Sequence, residues 1–145
     1  MSPDVLVVIG VGGVGRVIAR RQGPGRTVLL ADHDESTLSR VAEALTEDGH
    51  RVRARHVDVS DQASVAELAA EAASLGRVTQ VVHTAGLSPV QAPVEAILRV
   101  DLLGVALVLD AFGAVIAPGG AGVVIASMAG QDGVVWYSTS KSALS

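Results

Sequence analysis

Residues Val5 to Ala19 read VLVVIGVGGVGRVIA, and the fold turns on this stretch. An apolar, β-branched run (Val5, Val7, Val8, Ile9) stops at Gly10, and Gly12, Gly13 and Gly15 follow. A helical pattern then covers about Val14 to Gln22. Gly10, Gly12 and Gly15 have the G-x-G-x-x-G spacing of a strand–turn–helix that cradles a dinucleotide. Gly10 lets the strand turn sharply, and Gly12 lets the backbone approach a pyrophosphate. Gly15, without a Cβ, lets helix and strand touch. Gly13 and Val14 open the helix, whose free N–H groups face an anion. Gly-rich turns also close plain βα units, so the context has to carry the reading.

That context is a regular alternation. Gly23-Pro24-Gly25 ends the first helix, and TVLLA (Thr27 to Ala31) reads as a second buried strand ending at Asp32. Asp34 or Ser36 caps a helix that runs to about Glu47 and stops at Gly49. Arg51 to Val57 alternates polar and apolar residues, a strand with one wetter face that belongs near a sheet edge. Ser60 caps a helix to about Leu75, and a fourth strand covers Val78 to His83. A long helix is predicted from about Val94 to Ile116, ended by Pro118-Gly119-Gly120. A fifth strand, GVVIA (Gly122 to Ala126), leads to Ser127, and a last helix begins near Val134 or Val135. Apolar strands alternating with helices mean a parallel sheet covered on both faces, an α/β fold.

The totals narrow the function. At 145 residues the chain is one domain by length. It is 49% hydrophobic with a mean hydropathy of +0.45. A net charge of −4 and a pI near 5.4 argue against nucleic-acid or acidic-membrane surfaces. There is no cysteine, hence neither a disulfide framework nor a thiolate metal site, and no metal is expected. The start, MSPD, lacks the basic region of a secretory signal. The apolar stretch Val94 to Ile116 carries Glu95, Arg99, Asp101 and Asp110, and an Asp at a bilayer centre costs about 2.5–3.5 kcal/mol. A soluble, cytoplasmic protein without a membrane span is the expectation.

Several side chains point to chemistry. Asp32 ends the second strand, 22 residues after Gly10, where an acidic side chain accepts hydrogen bonds from an adenosine ribose. It would repel a 2′-phosphate, which favours NAD over NADP; the alternative is a helix-capping Asp. Asp58 and Val59 follow the third strand at the same edge, positioned to meet an adenine's edge and face, while Asp61 suits a helix cap better. Tyr137 is the one tyrosine and Lys141 the one lysine, four residues apart on one helical face. A phenol ordinarily has a pKa of about 10, and a neighbouring ammonium lowers it towards useful acid–base catalysis. Lysine is also a compact donor able to reach ribose hydroxyls. Ser127 could hold a carbonyl oxygen beside Tyr137.

In this order, the Gly-rich turn, Asp32, Asp58-Val59, Ala85-Gly86, Ser127 and the Tyr137-Ser-Thr-Ser-Lys141 unit resemble a short-chain dehydrogenase/reductase over the whole chain. The resemblance implies a Rossmann-type, doubly wound parallel sheet of five strands in the order 3-2-1-4-5. Residues 1–145 would form a single NAD(P)-binding domain, without the family's C-terminal strands and substrate-binding lid. It implies hydride transfer between nicotinamide and an alcohol or ketone carbon of a small molecule. Tyr137 would be the general acid/base, Ser127 the substrate-orienting hydroxyl and Lys141 the group that binds ribose and tunes the tyrosine. Gly10, Gly12, Gly13, Val14, Gly15, Asp32, Asp58, Val59, Ala85, Gly86 and Lys141 would hold the cofactor. It also implies a homo-oligomer, dimer or tetramer, through the long helix and the Tyr-bearing helix; the apolar residues on more than one face of the former agree.

Departures from the family pattern are specific. The glycine loop reads G-x-G-G-x-G, a residue tighter than usual. His83-Thr84 stands where Asn-Asn is common, and Asp101 replaces the helix asparagine of the proton relay. The loop from Ser127 to Tyr137 is short. Two other classes share parts of the pattern. A non-catalytic dinucleotide-binding module would use Gly10–Gly15 and Asp32 without Tyr137 or Lys141. A nucleoside-cofactor methyltransferase would likewise leave that pair without a role.

Overall fold

The computed structural model describes residues 2–86 and 92–126. They form a five-stranded parallel sheet in the order β3-β2-β1-β4-β5. The strands are β1 (Asp4–Ile9), β2 (Thr27–Asp32), β3 (Arg51–His56), β4 (Arg77–His83) and β5 (Ile116–Val124). The helices are α1 (Val14–Gln22), α2 (Glu35–Glu47), α3 (Gln62–Leu75), α4 (Val94–Ile97) and α5 (Gly104–Gly113), with a π-helical turn at Leu98–Leu103 joining the last two. The chain steps outward from β1 to β3, then returns to place β4 on the other side of β1. That reversal opens a crevice at the carboxyl ends of β1 and β4.

β1 is buried along nearly its whole length because it sits mid-sheet with helices on both faces. Its alternate side chains feed two cores. Val5, Val7 and Ile9 join Leu29, Ala31, Val65, Leu68, Ala72, Val108 and Phe112 on the face of α3 and α5. Leu6 and Val8 join Val28, Leu30, Leu38, Val41 and Leu45 on the face of α1 and α2. Each Val, Leu, Ile and Phe among them contributes about 1.5–3 kcal/mol by leaving water, so neither helical layer is dispensable. β3 lies at the sheet's edge with most of its residues exposed, which its alternating Arg/Val pattern anticipated.

The caps of α2 and α3 fix where their loops turn. Asp34, not Ser36, caps α2, accepting from the N–H groups of Ser36 and Thr37 at 2.9 and 3.0 Å. Asp61, not Ser60, caps α3 through the Ala63 N–H at 3.1 Å. Ser60 is drawn away because its hydroxyl donates to Asp58.

The expected Val94–Ile116 helix and Gly122–Ala126 strand need correction. The helix ends at Gly113, and the strand begins at Ile116. β4 pairs Val78 with Ile116 and Gln80 with Ala121, so β5 takes five steps where β4 takes two. Pro118-Gly119-Gly120 therefore forms a bulge inside the strand rather than a helix stop. Gly119, at φ +80°, supplies the turn.

α1 meets the end of β1 without a side chain between them. A Cβ on Gly15 would overlap the Gly10 carbonyl oxygen, which is backbone and cannot move aside. Gly15→Ala is expected to destabilise the chain by about 1–3 kcal/mol, read as a lower midpoint in urea. An unchanged midpoint would show that this contact is not needed.

Candidate functional site

The carboxyl ends of the strands surround a cleft of about 700 Å³, a size usual for small-molecule sites. The glycine loop, the ends of β2 and β3, the loop after β4 and the π-helical turn all contribute to its wall. The loop leaves Ile9 through Gly10, whose φ of +92° excludes most other residues. A Cβ there would also sit 2.5 Å from the Ala85 nitrogen. Gly12 and Gly13 line the cleft and have no atom within 4 Å of where a Cβ would stand, so the space before them is open. α1 has no side-chain cap and no acidic residue in its first turn. Its positive end consequently faces the cleft uncompensated, a setting suited to an anion.

Asp32 does not cap α2, a place that Asp34 takes. Its Oδ2 accepts from the Val11 N–H at 2.8 Å and its Oδ1 from the Asp34 N–H at 2.9 Å. One carboxylate thereby ties the glycine loop to the start of α2, and the Val11 side chain is fully buried beside it in the α1/α2 core. A carboxylate offers roughly four acceptor positions, so these two bonds leave capacity on the face that lines the cleft.

Asp58 and Val59 also line the cleft. The Asp58 carboxylate accepts from the Ser60 hydroxyl at 2.6 Å and the Ser60 N–H at 3.0 Å. Above all the Ser60 hydroxyl, then the Ser60 N–H and the nearby His33 and His56, hold this carboxyl below its ordinary 3.8, against the opposing effect of partial burial. Val59 packs against Gly104, where a Cβ would come within 2.8 Å of it, so α5 sets the depth of this wall.

Thr84 is one of the residues that sequence reasoning missed. Its hydroxyl donates to the carbonyl oxygens of Ile9 and Gly10, and the N–H groups of Thr84 and Ala85 donate to the Ile9 oxygen at 2.8 and 3.1 Å. The loop after β4 is thus fastened to the glycine loop, which brings Ala85 and Gly86 to the cleft. The available signal was a hydroxyl residue between the strand end and Ala85-Gly86. His33, Ser60 and Arg99 line the cleft as well and were not anticipated.

The structure therefore brings Gly10, Gly12, Gly13, Val14, Asp32, Asp58, Val59, Ala85 and Gly86 to one cleft. Gly15 lies behind it as a packing contact. Asp101 is wholly buried in the π-helical turn and is not among the lining residues. Ser127, Tyr137 and Lys141 lie outside the described residues. Among the described residues no cluster of three or more metal-binding side chains occurs, and no helix is long and apolar enough to cross a membrane.

Comparison with known proteins agrees with this architecture. Residues 4–145 match the short chain dehydrogenase family, and the chain belongs to it. A short-chain dehydrogenase/reductase of Alternaria brassicicola, bsc3, is 47% identical over 130 residues, which are 90% of this chain and 47% of that protein. The chain spans about half the length of that relative. A short-chain dehydrogenase/reductase from Burkholderia phymatum, solved in complex with NAD, is 28% identical with a TM-score of 0.86; the match covers 98% of this chain and 56% of that one. An F189W actinorhodin polyketide ketoreductase with NADPH is 30% identical with a TM-score of 0.82, covering 98% and 62%.

The site makes predictions that need no ligand. Asp32→Ala would leave the Val11 N–H without its acceptor, at a cost of about 1–3 kcal/mol. Urea unfolding measures this, and an unperturbed midpoint would show that the tie is not structural. Because Asp58 is held below 3.8 in the folded chain, its stabilisation is full above that value and fades as pH falls through the lower folded value. Asp58→Asn should therefore flatten the acid limb of the urea midpoint plotted from pH 6 to pH 2, while the native chain keeps the steeper fall.

Proposed function

We propose that the cleft binds a nicotinamide dinucleotide, NAD in preference to NADP, and that the protein is an oxidoreductase acting on an alcohol or carbonyl carbon of a small molecule. The observation that carries this reading is the open glycine loop at the bare N-terminus of α1, with the fixed Asp32 carboxylate beside it. Family membership supports the reaction class. The donor set fits the group: N–H groups for a pyrophosphate, an acidic acceptor for ribose hydroxyls, and Val59 with Asp58 for an adenine's face and edge. Asp34 and Asp58 add to the negative charge of Asp32 along the cleft, which disfavours a 2′-phosphate.

When bound, the nicotinamide supplies or takes up the hydride. Tyr137 gives or takes the proton on the substrate oxygen, Ser127 holds that oxygen, and Lys141 binds ribose while its charge favours the phenolate. Asp101, carried in the π-helical turn, takes the place of the family's relay asparagine. Leu103 and Leu109, 42% and 47% exposed, support self-association through the π-helical turn and α5, as a dimer or tetramer.

Titration with NADH and with NADPH at pH 8, followed by nicotinamide fluorescence, tests the reading. NADH should bind saturably and about tenfold or more tighter. Tyr137→Phe should keep NADH binding and lose about 10²–10⁴-fold in turnover of any alcohol or ketone the parent chain accepts. A chain folded by circular dichroism that binds neither coenzyme would overturn the proposal. Binding with turnover unaffected by Tyr137→Phe would remove that residue from it.

A further inference from the structure

The Asp32 end of the cleft holds more titratable charge than ribose recognition requires. β2 and β3 pair with Asp32 opposite His56. His33 follows Asp32 in the chain, and its ring centroid lies 5.6 Å from that of His56, with the planes tilted by 46°. Both histidines are exposed, and His33 lines the cleft. Asp58 lies close enough to feel the charge of both imidazoles.

The surrounding elements offer this pair few other cations. β2 contributes Asp32, the start of α2 contributes Asp34 and Glu35, and the turn after β3 contributes Asp58. Along β3, Arg53 and Arg55 alternate with His56 and so take the opposite face of the sheet. There Arg55 is engaged by Glu71 at 2.6 Å and Glu67 at 3.0 Å. Arg99 lines the cleft from the π-helical turn. The N-terminus of α2 is no substitute, because Asp34 already occupies the N–H groups of Ser36 and Thr37. Asp32 has no freedom to swing aside either, since a backbone N–H holds each of its oxygens.

We propose that His33 and His56 act together as a proton-operated cofactor selector. This rests on the dinucleotide reading above and deepens it. With both rings neutral, Asp32, Asp34 and Asp58 reject a 2′-phosphate, and the cleft takes NAD. With the rings protonated, two positive charges offset those carboxylates, and His33 gains a second N–H donor for phosphate oxygens. The cleft then accepts NADP as well. Imidazole is the side chain that ordinarily changes charge between pH 5 and 8. His33 reaches the cleft itself, while His56 acts through the ring beside it.

Calorimetric titration with NAD⁺ and NADP⁺ at pH 8.0 and pH 5.5 tests the selector in the native chain, in His33→Gln, in His56→Gln and in the double variant. A 2′-phosphate changes its own charge near pH 6, and the double variant measures that background. The ratio of NADP⁺ to NAD⁺ affinity should rise on acidification about tenfold more in the native chain than in the double variant. His33→Gln should abolish most of the excess. NAD⁺ binding with the same pH dependence of the ratio in the native chain and the double variant would overturn the selector alone. Should the double variant fail to fold by circular dichroism, a pH dependence of the ratio in both single variants equal to that of the native chain would overturn it equally. Absence of binding by either coenzyme at both pH values would overturn the underlying dinucleotide reading instead.

Discussion

Helix α1 meets the turn after β1 where neither Gly15 nor Gly10 carries a side chain, and the rest of the site depends on that contact. With a Cβ at Gly15 the helix would have to back away from the Gly10 carbonyl oxygen. Its first N–H groups would then leave the mouth of the cleft. Hydrogen bonds fix the contact from two directions. Thr84 fastens the turn to the loop after β4, and Asp32 fastens it to the end of β2. The loop is consequently rigid for reasons that lie outside its own sequence. Preorganisation of this kind lowers what a ligand must spend on ordering its site.

The electrostatics of the cleft follow from which helix ends are capped. α1 is bare at its N-terminus, with no acidic residue in its first turn, so its positive end is open to an anion. α2 carries Asp34 at its cap, and the Thr37 N–H above all, then the Ser36 hydroxyl and N–H, hold that carboxyl below its ordinary value. Two helix starts on the same edge of one sheet therefore present opposite signs. Asp32 and Asp58 extend the negative region along the cleft, and His33 lines it beside them with its ring centroid 5.6 Å from that of His56.

The chain from β1 to α3 was legible because its punctuation is local. Glycine at Gly10, the Gly23–Gly25 break, and the capping residues at the starts of α2 and α3 each act within one turn of backbone, so spacing exposes where they lie, though not that Asp34 rather than Ser36 and Asp61 rather than Ser60 does the capping. Beyond β4 the same approach misplaced two boundaries. Pro118-Gly119-Gly120 looks like a helix stop, yet it bulges within β5, since Ile116 finds its partner in Val78 across the sheet. A pairing between residues so far apart in sequence leaves no local trace. The π-helical turn that buries Asp101 was equally invisible, because its extra residue per turn barely changes the apolar period.

Sequence by itself determined the α/β class, the parallel sheet, the glycine loop and the placement of Asp32 and Asp58 at its carboxyl edge. These rest on periodicity and on residue types whose backbone preferences act locally. Tertiary structure alone decided what those residues do to one another. It showed Asp32 bonded to Val11 across the sheet, Thr84 clamping the loop, Ser60 turned to Asp58, and His33 beside His56. Such contacts join segments that only strand pairing brings together, and no spacing rule along one strand encodes which side chains will meet across it.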